Sequence, residues 1–374
     1  MFRAKKIALA VALASGFVGC VQAADVEVFG RIDTGFMYTS NSGESKDSFK
    51  MKSGHTSGSR WGIIATEKVN EDWTLRVHME SGIDADTGEL SDDERIFGRQ
   101  MTLSLKNESF GEIAFGRSGK PLSGSDQFTR IRAFTPFGVT YGDAGLLFYG
   151  KGGRVDNAVF YQSPKFAGFT VQATASLNTS GQEDAEWTNN KRFWGGSVDW
   201  KAGNLGLMIG AEQIVNEAKL KSQGKENPTT LYLGAYYDFG FMKLMAGYQH
   251  GWDLDRVGCL QSVKIGGDKA DVQNFDADFY MLGATIPAGK GLVRLSAIYM
   301  NGENSTDLSA QTGKEASYWS FGAGYTYPLS KRTNLYGVVA HLRGDDAIDK
   351  DNNATNGDGD LTRYQVAVGI VHKF

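Results

Sequence analysis

The chain closes on Tyr364-Gln365-Val366-Ala367-Val368-Gly369-Ile370-Val371-His372-Lys373-Phe374, and no other stretch restricts its possible folds as strongly. In a β-strand, Tyr364, Val366, Val368, Ile370, His372 and Phe374 point to one side, and Gln365, Ala367, Gly369, Val371 and Lys373 to the other. The first side is apolar almost throughout and bounded by aromatics. The second is small or polar. A strand with lipid on one side and water on the other has this pattern. Soluble sandwich strands rarely run so long or end a chain on an aromatic.

The same alternation recurs along the chain, and helical periodicity is nearly absent. In 168–178, Phe169, Val171, Ala173, Ala175 and Leu177 oppose Thr170, Gln172, Thr174 and Ser176. In 229–239, Leu231, Leu233, Ala235, Tyr237 and Phe239 form the apolar side, and in 316–328 it is Trp319, Phe321, Ala323, Tyr325 and Tyr327. Further segments start near 26, 58, 73, 96, 111, 154, 192, 205, 241, 276, 291 and 332. Together with the terminal one they predict about sixteen strands, an even number as up-and-down membrane barrels have. Short connections (69–72, 107–110, 163–166, 201–204, 238–240, 329–332) alternate with long ones (40–57, 84–95, 119–153, 179–191, 216–228, 253–275, 301–315, 344–361). Tight turns at one end and long loops at the other are expected of such a barrel. Closure has a physical cause: lipid supplies no hydrogen-bond partners, so an open sheet edge would leave backbone groups unpaired. About sixteen strands also leave a lumen wide enough for water. The predicted fold class is therefore all-β, a transmembrane up-and-down antiparallel barrel.

Composition agrees with this reading. Glycine is abundant at 48 residues and proline scarce at 6. Pro121, Pro136, Pro164, Pro228, Pro287 and Pro328 each fall between segments or at an edge, where sheets tolerate proline. The formal net charge of −4 argues against a nucleic-acid partner. Residues 1–23 read as a secretory leader, with Arg3, Lys5 and Lys6 before the apolar run Ile7 to Val18 and a small-residue cleavage site at Val21-Gln22-Ala23. The mature barrel would then occupy 24–374. Phe17-Val18-Gly19-Cys20 imitates a lipoprotein box, but an ordinary cleavage site follows at once. If Cys20 leaves with the leader, Cys259 remains alone and no internal disulfide forms.

An ordered set of stretches resembles the general porins of Gram-negative outer membranes, of the beta-proteobacterial type. These are Val28-Phe29-Gly30-Arg31-Ile32-Asp33-Thr34-Gly35, Ser59-Arg60-Trp61-Gly62-Ile63, Arg99-Gln100, Phe115-Gly116-Arg117, Arg154 through Pro164, Leu329-Ser330-Lys331-Arg332-Thr333, and the terminal Val368 to Phe374. The resemblance covers essentially the whole mature chain. It implies a sixteen-stranded barrel, usually a homotrimer, whose third long loop folds into the lumen. It also implies that the terminal strand, through Tyr364, Ile370 and Phe374, is the signal read by the barrel-assembly machinery.

In such a pore, selectivity rests on fixed charges on the wall and the inward loop. Parity turns Arg31, Arg60, Arg76 and Arg154 toward water. Strict parity sets Arg117 on the side of Ile113 and Phe115, whereas the resemblance sets it on the wall. Arg31, Arg60, Arg117 and Arg154 match the family's basic ladder, and parity alone adds Arg76. An arginine facing lipid would cost about 2–4 kcal/mol near the midplane. The presumed constriction loop, 119–153, carries Lys120, Arg130, Arg132 and Lys151 against Asp126 and Asp143. Many relatives have an acidic Pro-Glu-Phe-Gly stretch here, where this chain has Thr135-Pro136-Phe137-Gly138. The expectation is a basic eyelet that prefers anions. In the opposing arrangement, Asp126 and Asp143 point inward while Arg130 and Arg132 pack on the wall. Phe128, Phe134, Phe137 and Tyr141 either pin the loop or form a slide for sugars, pinning being the simpler role.

Other constellations carry less. The Asp-, Asn- and Gly-rich stretch Asp349 to Asp360 imitates a calcium loop, but its glycine falls one position late and no glutamate closes it. It reads as a solvated external loop, with loose cation bridging to lipopolysaccharide as the alternative. His78 and Glu80 share a strand face without a nucleophile motif beside them, so nothing supports an embedded hydrolase. No cofactor is implied. The expected partners are outer-membrane lipid, lipopolysaccharide and small hydrophilic solutes. The reading is passive diffusion of such solutes through a water-filled pore. A substrate-specific channel is the nearest alternative, and a barrel with an adhesive, structural or hydrolase role a more distant one.

Overall fold

The computed structural model describes residues 24–41, 47–92, 95–123, 126–138, 140–145, 153–255, 274–304, 315–344 and 362–374. The leader 1–23, Lys151, Cys259 and the stretch Asp349 to Asp360 lie outside the described residues. Among the described residues seventeen strands follow in order: β1 (Asp25–Asn41), β2 (Ser48–Ser53), β3 (Arg60–Lys68), β4 (Trp73–Gly82), β5 (Gln100–Asn107), β6 (Gly111–Gly119), β7 (Arg154–Gln162), β8 (Phe169–Ser176), β9 (Arg192–Ala202), β10 (Leu205–Val215), β11 (Thr229–Asp238), β12 (Lys243–Leu254), β13 (Phe275–Ala288), β14 (Gly291–Asn304), β15 (Glu315–Pro328), β16 (Thr333–Gly344) and β17 (Thr362–Lys373).

From β3 onward each strand pairs antiparallel with the next. The ring closes because β1 takes β17 on one edge and β3 on the other. At the seam, the backbone of Phe374 exchanges two hydrogen bonds with Gly30 (3.0 and 3.1 Å). The seam glycine has a packing reason too, because a Cβ on Gly30 would stand 2.1 Å from the Phe374 ring. The short turns share one device. Asn70, Asn107, Asp238 and Ser330 each turn a side-chain oxygen back to accept backbone N–H groups two or three residues ahead.

The core is arranged inside out. Val368 and Tyr364 are each 52% exposed on the outer face of β17, whereas Ala367 beside them is 2% exposed on the inner face. In β8, Thr170, Gln172, Thr174 and Ser176 are all buried inside while Phe169 faces out. The outward apolar band is the surface that lipid covers.

Two findings correct the sequence reading. First, 40–57 is not wholly an external loop, because β2 lies within it and pairs with the upper half of β1. β2 and β3 occupy the same side of β1 in one lane, so seventeen strands make sixteen lanes. β2 escapes notice because Ser48-Phe49-Lys50-Met51-Lys52-Ser53 is short and carries two lysines. Second, the inner wall is not polar throughout. Tyr232, Leu254, Phe275, Phe279, Met300, Tyr318 and Leu342 face inward in one buried cluster with Leu122, Ile131 and Phe134. In β13 the inner residues Phe279 and Met281 alternate with Tyr280 and Leu282 outside, so both faces are apolar and periodicity carries no signal.

Candidate functional site

The segment between β6 and β7 enters the lumen and follows its wall. Phe128 stacks on Phe160 of β7, with ring centroids 5.1 Å apart. Arg130 binds Asp199 of β9 through two bonds of 2.7 and 2.9 Å. The Leu122 amide and the Lys120 ammonium both reach Glu212 of β10, at 2.6 and 3.5 Å. Phe134 meets Tyr236 of β11, and the Ala133 carbonyl accepts from Lys243 of β12. Farther round, Arg363 of β17 clamps Asp143 with two bonds of 2.6 Å, while Gln365 accepts from the Asp143 amide. Ser320 and Ser296 donate to the carbonyls of Asp143 and Ala144. Phe128, Phe134, Phe137 and Tyr141 face one another or the wall, and the first three are buried.

Wall glycines make room for it. A Cβ on Gly283 would come 2.6 Å from the Pro136 ring, and one on Gly322 would come 2.5 Å from the Ala144 Cβ and 2.8 Å from its Cα. In the second case the neighbour is backbone and cannot swing aside. Gly322→Leu is therefore expected to lift the segment near Ala144 and change single-channel conductance, whereas the same change at Gly337, which has only one ordinary contact at 4.0 Å, leaves it at the parent level.

Every predicted site residue except Lys151 can now be placed. Arg31 lies directly between Lys373 on β17 and Arg60 on β3, so three cations stand in a row across adjacent lanes. Arg60 sits 3.5 Å from Glu80, which Arg99 also grips at 2.5 Å. Arg154 reaches Asp126 at 2.7 Å, with Arg99 3.8 Å from the same carboxylate. Arg76 shares the inner side of β4 with His78 and Glu80, and Arg132 projects from the inward segment, near enough to repel Arg31, Arg60 and Lys373. Arg117 stands apart. A bulge between Gly116 and Ser118 reorients it, and its guanidinium joins Arg95 on Asp156 and bonds the Gly98 carbonyl.

Sequence reasoning missed Arg99 and Lys373 as members of this field, and Arg363, Asp199 and Glu212 as anchors. Arg99 stood in one of the resembling stretches, and Lys373 on the polar side of the terminal strand. The anchors carried no local signal, because their partners are distant in the chain. Burial holds the Arg99 guanidinium below its usual value, down to about 10, which still leaves it charged at neutral pH. The Asp199 carboxylate pushes Arg130 upward.

The charges sort into two groups. Asp126 and Asp143 are buried and closed off by arginines, with side chains 2% and 4% exposed. Among the described residues, Arg31, Arg76, Arg132 and Lys373 have no carboxylate within ion-pair distance. Against these four stand Asp33 and Glu112, inner carboxylates bonded to neutral donors only, so the uncompensated charge on the inner surface of this region is positive on balance.

A closed sixteen-lane antiparallel barrel, apolar outside and narrowed inside by an inturned segment, is an outer-membrane diffusion channel. The chain belongs to the Gram-negative porin family, whose model matches residues 8–347. It is 31% identical to an outer membrane porin protein of Bordetella pertussis across 99% of this chain and all of that one. It is also 31% identical to outer membrane porin protein 32 of Delftia acidovorans, over 91% of this chain and 90% of the other. Among solved structures, the anion-selective porin from Comamonas acidovorans superposes with a TM-score of 0.67 at 23% identity, covering 94% of this chain and 100% of that one. The protein is a β-barrel of the Gram-negative outer membrane and passes small hydrophilic solutes and ions by passive diffusion.

Proposed function

We propose that this porin prefers anions and that its selectivity is set where the 119–153 loop narrows the lumen. The observation that carries the reading is the unequal pairing of charges. Both loop carboxylates are neutralised by arginines, while Arg31, Arg76, Arg132 and Lys373 are left to face the lumen. A passing anion meets net positive charge in a space where water screens incompletely, and a cation meets the same field as a barrier. The Comamonas acidovorans neighbour, described as anion-selective, supports this reading.

Arg31, Arg60, Arg76 and Arg154 form the wall side of the field in this proposal, with Lys120, Asp126, Arg130, Arg132 and Asp143 on the loop side. Arg117 serves the outer entrance through Asp156. Residues 1–23 direct export and are removed. Tyr364, Ile370 and Phe374 present the assembly signal to the barrel-assembly machinery. The working unit is a homotrimer, and lipopolysaccharide surrounds its outer rim. One solved neighbour, from Vibrio cholerae, is described in a trimer form.

Reversal potential across a potassium chloride gradient in a planar bilayer tests the selectivity. The expected sign is that of an anion-preferring pore, with current steps closing in threes. A cation-preferring sign would overturn the basic-eyelet reading and leave the porin assignment intact.

A further inference from the structure

β1 runs unbroken, but its partner lane does not. Ser53 opposes Thr34 and Arg60 opposes Arg31, so residues 54–59 stand against only Ile32 and Asp33. The surplus chain has to leave the sheet, and it leaves inward. His55, Thr56 and Ser57 are buried, and the His55 ring packs between Tyr141 of the loop and Tyr336 of β16. This turn touches the constriction loop directly. The Tyr141 amide donates to the His55 carbonyl at 2.8 Å, and the Thr140 hydroxyl donates to the Thr56 carbonyl at 2.5 Å.

One carboxylate holds the turn in place. Asp33 is fully buried on the inner face of β1. Its Oδ2 accepts from the Thr56 amide (2.8 Å), the Thr56 hydroxyl (2.6 Å) and the Ser57 amide (2.9 Å). Its Oδ1 accepts from the Tyr336 hydroxyl at 2.9 Å. Tyr336 reaches it from β16 by lying across β17 over Gly369, where a Cβ would come 2.3 Å from the tyrosine oxygen. The Asp33 backbone adds bonds to Ser59 and Gly54. A buried carboxylate with this many donors is rigid, and so is whatever it grips.

We propose that residues 54–59 are a second inward element of the pore, and that Asp33 is a positioning residue which sets the width of the constriction by clamping this turn against the loop tip. The tip is then held from two directions: by β14, β15 and β17 through Ser296, Ser320 and Arg363, and by β1 through Asp33 and the turn. Releasing the second hold lets Thr140 and Tyr141 move away from the seam side of the lumen. Tyr141 has a left-handed backbone, φ 73°, a conformation that needs its surroundings to persist.

Single-channel conductance and open-channel noise of refolded protein in planar bilayers test this. Asp33→Asn keeps the shape but replaces an acceptor-only group by an amide with a single acceptor oxygen. The expected result is conductance raised roughly 1.5-fold with noisier open levels, while the barrel retains its heat-modifiable migration on gels. Asp33→Asn also removes a charge two residues from Arg31, so Tyr336→Phe and Thr56→Val are measured beside it. Both weaken the clamp without changing charge, and both are expected to raise noise and conductance in the same direction by less. The double variant Asp33→Asn with Tyr336→Phe is expected to add nothing beyond Asp33→Asn alone, because the hydroxyl acts through the carboxylate. If Asp33→Asn fails to fold, the two uncharged variants decide. Folded variants with parental conductance and noise, or changes confined to Asp33→Asn and to its reversal potential, would overturn the clamp.

Discussion

Neutralising Arg60 and Arg154 together, as Arg60→Gln with Arg154→Gln, is expected to move the reversal potential toward cations. Each arginine touches a carboxylate, Glu80 at 3.5 Å and Asp126 at 2.7 Å, so each substitution both removes a positive charge and uncovers a negative one. Arg99 softens both losses, because it remains 2.5 Å from Glu80 and 3.8 Å from Asp126. A unit charge about 4 Å from a permeating ion is worth about 1 kcal/mol in water and more where the lumen wall displaces water. Two such changes amount to about 2 kcal/mol, roughly thirtyfold in the anion-to-cation permeability ratio, which the remaining Arg99 contacts reduce to roughly tenfold, best read at low salt where screening is weakest. An unchanged reversal potential in the folded double variant would remove these arginines from the selectivity field.

Arg363→Gln is expected to release the far end of the constriction loop. The guanidinium holds Asp143 through two bonds of 2.6 Å, and the carboxylate is almost wholly buried. Removing one partner of a buried pair leaves the other uncompensated, at a cost of about 3–5 kcal/mol. That is comparable with what the bonds from Ser320, Ser296, Gln365 and the 54–59 turn return together, at about 1 kcal/mol each. The seated and released positions of the loop end therefore become close in energy, and Asp143 turns toward water in the released one. Conductance rises, open-channel noise rises, and selectivity moves toward cations because a carboxylate has joined the lumen. Adding Asp143→Asn removes the stranded charge, and quiet, parent-like levels are expected to return in large part. Parental conductance, noise and selectivity from folded Arg363→Gln would show that the pair does not hold the loop.

Outside β2 and β13, strand existence, the antiparallel meander and the direction each face points were present in the alternation of residues. The reason is local: a period of two places side chains without reference to the rest of the molecule. The tight turns were equally legible, because Asn70, Asn107, Asp238 and Ser330 bond to their own neighbours. Closure followed from the solvent, since lipid tolerates no open edge. The site was partly legible. Parity was enough to point Arg31, Arg60, Arg76 and Arg154 inward, whereas which of them would be neutralised was not readable. Arg154 with Asp126 and Arg130 with Asp199 are pairs between segments far apart in the chain, chosen by the path of the loop along the wall. Arg117 shows the same limit at close range, because one bulge next to Gly116 changes its partners and strict alternation cannot anticipate a bulge.

The sequence by itself determined a lipid-embedded barrel with a wet interior and basic residues on its wall, because alternation and solvent chemistry act residue by residue. The tertiary structure alone decided the balance of charge in the lumen, the seating of the loop on Gly283 and Gly322, and the inward turn at 54–59 held by Asp33. The turn depends on ring closure bringing β1, β16 and β17 side by side, and the charge balance and the seating depend on the path of the loop across the lumen; contacts between residues as far as some three hundred positions apart leave no trace in a local pattern.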